Sequence, residues 1–271
     1  MERVFMKPIE APAARLVLRA FAPIPTREIV LDVIDTLIDA EITASRYGIA
    51  DGAVRLRFSR DSVERDVDKV FSEGTFLATG PNDLEIRIRT SFRAGLIVDS
   101  AVPLSPSDVD KQRWLRAADR LRETLAPEYL VIGWAPILRE RPQRWADERD
   151  LAERLMVYGM DPVTKDYYLV GPTGLSLRTY LCAHYVDLIG RETLSSLPAC
   201  VTYLDDGAVR IDLCEDLLHA TFAELVDRWH ACMNVLYPRE VFCAPEIVER
   251  MGGIWFRNPA PRFVPPPREK R

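Results

Sequence analysis

Apolar and polar residues alternate along the stretch ARLVLRAF near residues 15–22, as they would on a half-buried strand. The period then lengthens. In TREIVLDVIDTLIDAEITA, Ile29, Val33 and Leu37, with Val30, Ile34 and Ile38, recur at helical spacing, and Thr26 is placed to cap the helix. Asp51-Gly52 signals a turn, and AVRLRF at 53–58 returns to strand alternation. DSVERDVDKVFS at 61–72 reads as a short helix capped by Asp61. LEIRIRT (84–90) and AGLIVDSAV (94–102) read as a hairpin. From Ser105 or Ser107 a long helix runs over about 106–125, its apolar face supplied by Val109, Trp114, Leu115, Ala118, Leu121 and Leu125, and Pro127 closes it.

EYLVIGWAPI is apolar enough for a central strand. A helix over WADERDLAERLMVYGM follows Pro142, and a polar loop, DPVTKDYYLVGPTG, comes after it. LSLRTYL is strand-like, and AHYVDLIGRETLSSL predicts one or two short helices broken at Gly190. VTYLDDGAVRIDL is the clearest hairpin, turning at Asp206-Gly207. A helix over about 218–236 and a short one near 245–251 complete the regular elements. The pattern implies an α+β fold with a mixed, mainly antiparallel sheet and helices packed on one side. Residues 1–258 are expected as a single domain, with two halves meeting near 100–130 as the alternative, and the Pro-rich 259–271 as an extended tail.

Composition narrows the function. With 48% hydrophobic and 28% charged residues the chain has the makings of a core, which excludes a mainly disordered protein. A net charge of −5 argues against a nucleic-acid binder, whose footprint is basic. No apolar run approaches the ~20 residues of a membrane span, and Pro8, Pro12 and charges interrupt the beginning, so neither a membrane association nor a secretory signal is expected. Five cysteines without C-x-x-C spacing suit free thiols in the cytoplasm.

The stretch VRIDLCEDLLHATFAELVDRWH, residues 209–230, tests for chemistry directly. Strand alternation sends Ile211 and Leu213 to the core and Asp212 toward water or a second layer, with Glu215 and Asp216 at the entry to a helix, where carboxylates favour the positive end of its dipole. His219 and His230 would be roughly 16 Å apart along one helix, too far to share a zinc ion. Cys182 and His184 are too widely spaced on a strand, and diverge on a helix, for a nucleophilic pair. GPTGLSL lacks the lysine and spacing of a phosphate loop and the frame of a nucleophile elbow. No catalytic residue, metal ligand or cofactor is assigned, and the expectation is a protein that is not an enzyme. The alternative is a small-molecule enzyme with a carboxylate and histidine site around Asp212, Glu215 and His219.

Acid repeats instead on helix exteriors. Glu28, Asp32, Asp35 and Asp39 form one stripe, Asp147, Glu148, Asp150 and Glu153 a second group, and Asp205, Asp206, Asp212, Glu215 and Asp216 a third. Such stripes are commonly solvated faces; as a docking surface they would also need aromatic anchors. Trp134, Trp145, Tyr167, Tyr168, Trp255 and Phe256 are the candidates. The expected partner-binding set is Asp32, Asp35, Asp39, Trp145, Asp147, Tyr167, Tyr168, Asp205, Asp206 and Trp255.

The order GLSLRTYL, a short helical segment, then LPACVTYLDDGAVRIDLCEDLL and a helix resembles the C-terminal half of bacterial type VI secretion immunity proteins. It is most similar to the family of immunity protein fifty-two, with its TsiT-like members. The resemblance covers about 175–236, and where that family favours Gly-Trp this chain has Gly174-Leu175. The resemblance implies a cytoplasmic antidote that binds and neutralises a cognate secreted toxin stoichiometrically, without catalysis. A nuclease effector is the toxin that best suits an acidic surface, because its own cleft must attract phosphate. A homodimer is a further option.

Overall fold

The structure is a computed structural model of the chain. It describes residues 13–22, 26–49, 54–90, 95–103, 107–136, 156, 172, 174–242, 244–248 and 253–257. Strand β1 (Ala13–Phe21) is covered on both faces, with Leu16, Leu18 and Ala20 pointing one way and Val17, Arg19 and Phe21 the other, all buried. Helix α1 (Arg27–Asp39) begins where Thr26 accepts the Ile29 N–H at 3.4 Å, and it buries Val30, Val33, Ile34 and Leu37. Strands β2 (Arg46–Ile49) and β3 (Leu56–Arg57) follow, so the expected strand at 53–58 is reduced to two described residues and β2 is an addition to it. Helix α2 (Arg60–Glu73) is capped by Ser59, whose hydroxyl accepts the Ser62 N–H at 3.2 Å, and not by Asp61, which lies inside the first turn.

Strands β4 (Thr75–Gly80), β5 (Leu84–Arg89) and β6 (Gly95–Pro103) form a meander, containing the expected hairpin and one strand, β4, that the pattern did not disclose. Helix α3 (Asp108–Leu125) starts at Ser107. Ala126 then takes a left-handed backbone, φ 42, and Pro127 prevents continuation. Strand β7 (Tyr129–Pro136) is central as expected, pairing with β1 on one side and with β8 (Arg178–Leu181) on the other. Of the helix expected after Pro142 only Met156 is described, as helical and buried, and most of the polar loop lies outside the described residues.

Two short helices, α4 (Ala183–Ile189) and α5 (Arg191–Ser195), break at Gly190, whose φ of 89 a side chain would resist. Strands β9 (Cys200–Tyr203) and β10 (Val209–Asp212) make the predicted hairpin, with Gly207 at φ 83 in its turn. Helix α6 (Phe222–Leu236) starts later than the expected 218. Thr221 and Glu224 form a reciprocal capping box there, and 217–219 are turn. The short helix expected near 245–251 is instead a strand, β11 (Ala244–Val248), paired with β12 (Gly253–Arg257). The seven residues 245–251 were too few to separate the two periods.

Ten strands form one antiparallel sheet in the order β3-β2-β4-β5-β6-β1-β7-β8-β10-β9, giving the mixed α+β class. Helices α1, α2 and α3 form a layer in which α1 packs between the other two. Side chains directly opposite one another share a face. Through Ala20, Leu130, Tyr180 and Arg210 the register carries the face under α3 to the far edge, while Phe21, Tyr129, Leu181, Val209 and Tyr203 lie on the reverse. Arg191 of α5 stacks on the Tyr203 ring at 4.6 Å, so the one-sided helix layer is α1–α3 and α5 reaches the other side.

One backbone contact sets how α1 leads into the sheet. A Cβ on Gly80 would stand 2.9 Å from the Thr43 carbonyl and 3.2 Å from Ala44 Cα, so the connector after α1 lies directly on the β4–β5 turn. Gly80→Ala is expected to destabilise the fold by about 1–3 kcal/mol, read as a lower midpoint of urea unfolding; an unchanged midpoint would mean that the connector moves freely.

Candidate functional site

Helix α1 carries four carboxylates on its outward side and one arginine at its start, and no basic residue in its last turn. Carboxylates at a helix C-terminus oppose its dipole. Asp39 is nevertheless there, and Glu41 follows in a left-handed backbone, φ 58. Neighbouring helices supply the compensation. Arg60 of α2 reaches Asp35 at 2.5 Å and Glu64 at 3.0 Å. From α3, Arg120 reaches Asp39 at 3.1 Å and Arg113 reaches Glu41 at 2.9 Å. Asp32 is exposed, and neither it nor Glu28 joins an ion pair among the described residues. The predicted stripe is thus one row in space, fixed at Asp35 and Asp39 and open at Glu28 and Asp32, and Glu41, outside the prediction, extends it.

Asp205 and Asp206 occupy the exposed β9–β10 turn, away from the α1 stripe in sequence and element. Asp206 accepts the Ala208 N–H at 3.2 Å and an Arg122 guanidinium bond, and despite its partial burial these bonds hold its carboxyl below the usual range. Arg122 therefore ties the turn to α3. Trp145, Asp147, Tyr167 and Tyr168 lie outside the described residues, and of Trp255 only its place in β12 is described.

Asp212 does not face water. It is buried, and both its oxygens are taken by arginines. Arg178 Nε donates to Oδ1 at 2.6 Å and Nη2 to Oδ2 at 3.1 Å, a two-pronged pairing. Arg210 Nε lies 3.2 Å from Oδ2, close enough for charge pairing though not aligned for a hydrogen bond. Arg178 also donates to Asp119 of α3 at 2.7 Å, and the Tyr180 hydroxyl donates to the same carboxylate. Burial opposes the Arg178 charge, but Asp212 and then Asp119 outweigh it and raise its pKa. Burial first, and then the bond to Asp119, push the Tyr180 hydroxyl upward as well. These groups hold charge in place: each is committed to a partner inside the protein.

His219 lies in the turn before α6, so it does not share a helix with His230. Its Nδ1 is 2.7 Å from Asp216 and its Nε2 is 3.3 Å from Asp108 at the start of α3. The histidine is thus bound to Asp216 and Asp108, while Asp212 is committed to arginines. A cleft beside it is lined by Cys214, Glu224, Asp227 and Arg228 among others. Among the described residues no group of three or more His, Cys, Asp and Glu is placed to hold a metal ion. Cys182 caps the start of α4, and its thiol is pushed up by burial, which keeps it protonated. Ser176 is fully buried.

Sequence reasoning missed Arg60, Arg113, Arg120 and Arg178, the cations that position the acids. The signal for Arg178 was present in part: it holds a polar position in LSLRTYL as Asp212 does in VRIDL, but only the pairing of β8 with β10 puts them together.

No family model matches the chain, and no curated protein matches it. Among solved structures the chain is similar in fold to the Pseudomonas aeruginosa T6SS protein PA0821. Identity is 17% and the TM-score 0.48, over 83% of this chain and 74% of that one. Among the described residues no helix is long and apolar enough to cross a membrane.

Two outcomes follow from these geometries. Asp212→Asn leaves the Arg178 guanidinium with Asp119 as its one remaining anion among the described residues and is expected to destabilise the protein by roughly 2 kcal/mol in urea unfolding; a loss below about 0.5 kcal/mol would mean that Asp119 alone satisfies Arg178. His219 is raised above its ordinary 6.5 by its bond to Asp216 and by Asp108. Its contribution is therefore complete below 6.5 and fades as pH rises through the folded-state value. An NMR titration of the imidazole should show that raised pKa, and Asp216→Asn should lower it toward 6.5.

Proposed function

We propose that the protein is a type VI secretion immunity protein, which binds a cognate toxin stoichiometrically and acts without catalysis. The observation that carries this reading is the carboxylate row on α1. Its last members sit at the helix end where they are least stable alone, and arginines from two other helices hold them outward. Acids kept in place against the dipole are suited to meeting a basic surface, and complementary charge speeds encounter and selects the partner. The resemblance of residues 175–236 to immunity proteins points the same way. A nuclease toxin fits because a surface built to attract phosphate is basic.

The test is co-purification with the product of the neighbouring toxin gene, followed by binding kinetics. Failure of the pair to associate would remove the reading. Asp35 and Asp39 are poor probes, because reversing them breaks Arg60 and Arg120 contacts inside the protein. Glu28→Lys with Asp32→Lys alters only the open part of the row. The double variant should associate about ten-fold more slowly at low salt, with dissociation little changed, and the difference should shrink as salt is added. Equal association rates would take α1 out of the interface.

A further inference from the structure

A cleft of about 550 Å³ opens at the C-terminal end of α1, between the connector to β2, the β4–β5 turn and the start of α3. That volume is in the range of ligand-sized clefts. Leu16, Ile42, Leu84 and Trp114 form its apolar floor and walls, and Glu41, Asp110 and Arg113 carry the charge at its rim. The Gly80–Thr43 contact keeps one wall in place.

We propose that this cleft is the anchor site for an arginine side chain of the protein partner. The inference rests on the proposed reading of the protein as a toxin-binding one, and it names what the far end of the acidic row receives. Three observations carry it. The cleft continues the α1 row, with Glu41 two residues beyond Asp39. Its charged rim groups, two carboxylates against one guanidinium, are net negative, and α1 ends beside them without a basic residue of its own. Finally, Glu41 and Asp110 already converge on a guanidinium: Arg113 Nη2 is 2.9 Å from Glu41 and Nη1 is 3.5 Å from Asp110.

Arg113 thus shows the geometry that these carboxylates accept. Asp110 Oδ2 accepts the Ser107 hydroxyl at 2.7 Å, whereas Glu41 is three-quarters exposed and has Oε1 to offer. An arginine entering from a partner would lay its alkyl stem against Leu16, Ile42 and Trp114 and present a planar fork of donors to Glu41. A lysine would bring one compact, strongly hydrated charge to a rim shaped for a fork.

The probe is Nα-acetyl-arginine N-methylamide, titrated into the purified full chain and followed by amide and indole NMR signals, with the norleucine analogue as the uncharged control. The arginine amide is expected to shift Ile42, Leu84 and the Trp114 indole saturably, and the norleucine amide is not. Glu41→Gln, at an exposed position that leaves the core untouched, should weaken binding about five-fold, the size of one partly exposed ion pair. Arg113→Gln, which removes the internal cation, should strengthen it. Absence of saturable shifts at the cleft, an equal response to norleucine, or unchanged binding by Glu41→Gln would each overturn the proposal. Because the probe needs no toxin, loss of toxin binding with the arginine response intact would count against the toxin-binding reading alone.

Discussion

Helix α3 has to satisfy neighbours on every side, and the arrangement of the molecule follows from how it does so. Its apolar face, with Trp114, Leu115, Ala118, Leu121 and Leu125, lies on the centre of the sheet. Its polar flanks then reach in both directions along the sheet. Arg113 and Arg120 hold the acids of α1, while Asp119 meets Arg178 and Tyr180 on β8, and Arg122 meets the β9–β10 turn. At its first turns Lys111 bonds the Leu218 carbonyl and Asp108 meets His219. A helix that only covered β1 and β7 would need none of these contacts. With them, one element ties the C-terminal strands to the acids at the end of α1, while α2 holds Asp35.

The two sets of charges that α3 holds differ in kind. Around Arg178 the groups are buried or half-buried, and every anion has a cation within hydrogen-bonding distance. Removing Arg178 would leave the buried Asp212 with only the poorly aligned Arg210 among the described residues, so the network favours the pairing of β8 with β10. Along α1 the acids are exposed and the pairs are weak in water, worth little for stability. Their effect is geometric: a long arginine on a neighbouring helix limits where each carboxylate can be. That arrangement leaves Glu28, Asp32 and part of Glu41 without an ion-pair partner among the described residues, whereas the groups around Arg178 complete one another.

Local chemistry was legible where the cause was local. Thr26 capping α1, Gly190 splitting two helices and Asp206-Gly207 turning a hairpin all depend on residues within a few positions. Where burial had a distant cause, the pattern left two outcomes open. Asp212 is an acid at an alternate strand position, which suggests water or a second layer, and it is buried against an arginine 34 residues earlier that also reaches α3. β4 escaped notice because Leu77 and Phe76 are both apolar although they face opposite sides of the sheet, so polarity did not alternate as burial does. The acidic stripe could be read directly, while the arginines that fix it could not. Arg60, Arg113 and Arg120 sit among other charges on their own helices, and nothing in their spacing says which acid they will meet.

The sheet itself resists the addition of a foreign strand. An open edge invites strand pairing, and this sheet has two, β3 and β9. β3 is only two residues long, and Arg55 and Arg57 bracket its exposed Leu56. On β9, Tyr203 is held under Arg191 and bonded to the α5 backbone, so the strand is bound to its own helix beside the edge. Short, charged or occupied edges discourage addition of a foreign strand. Among the described residues, the open carboxylates of α1 run along the outer side of the helical layer down to the cleft at Glu41. A partner drawn by charge would therefore meet side chains rather than backbone, and its selectivity would rest on where its cations stand along that row.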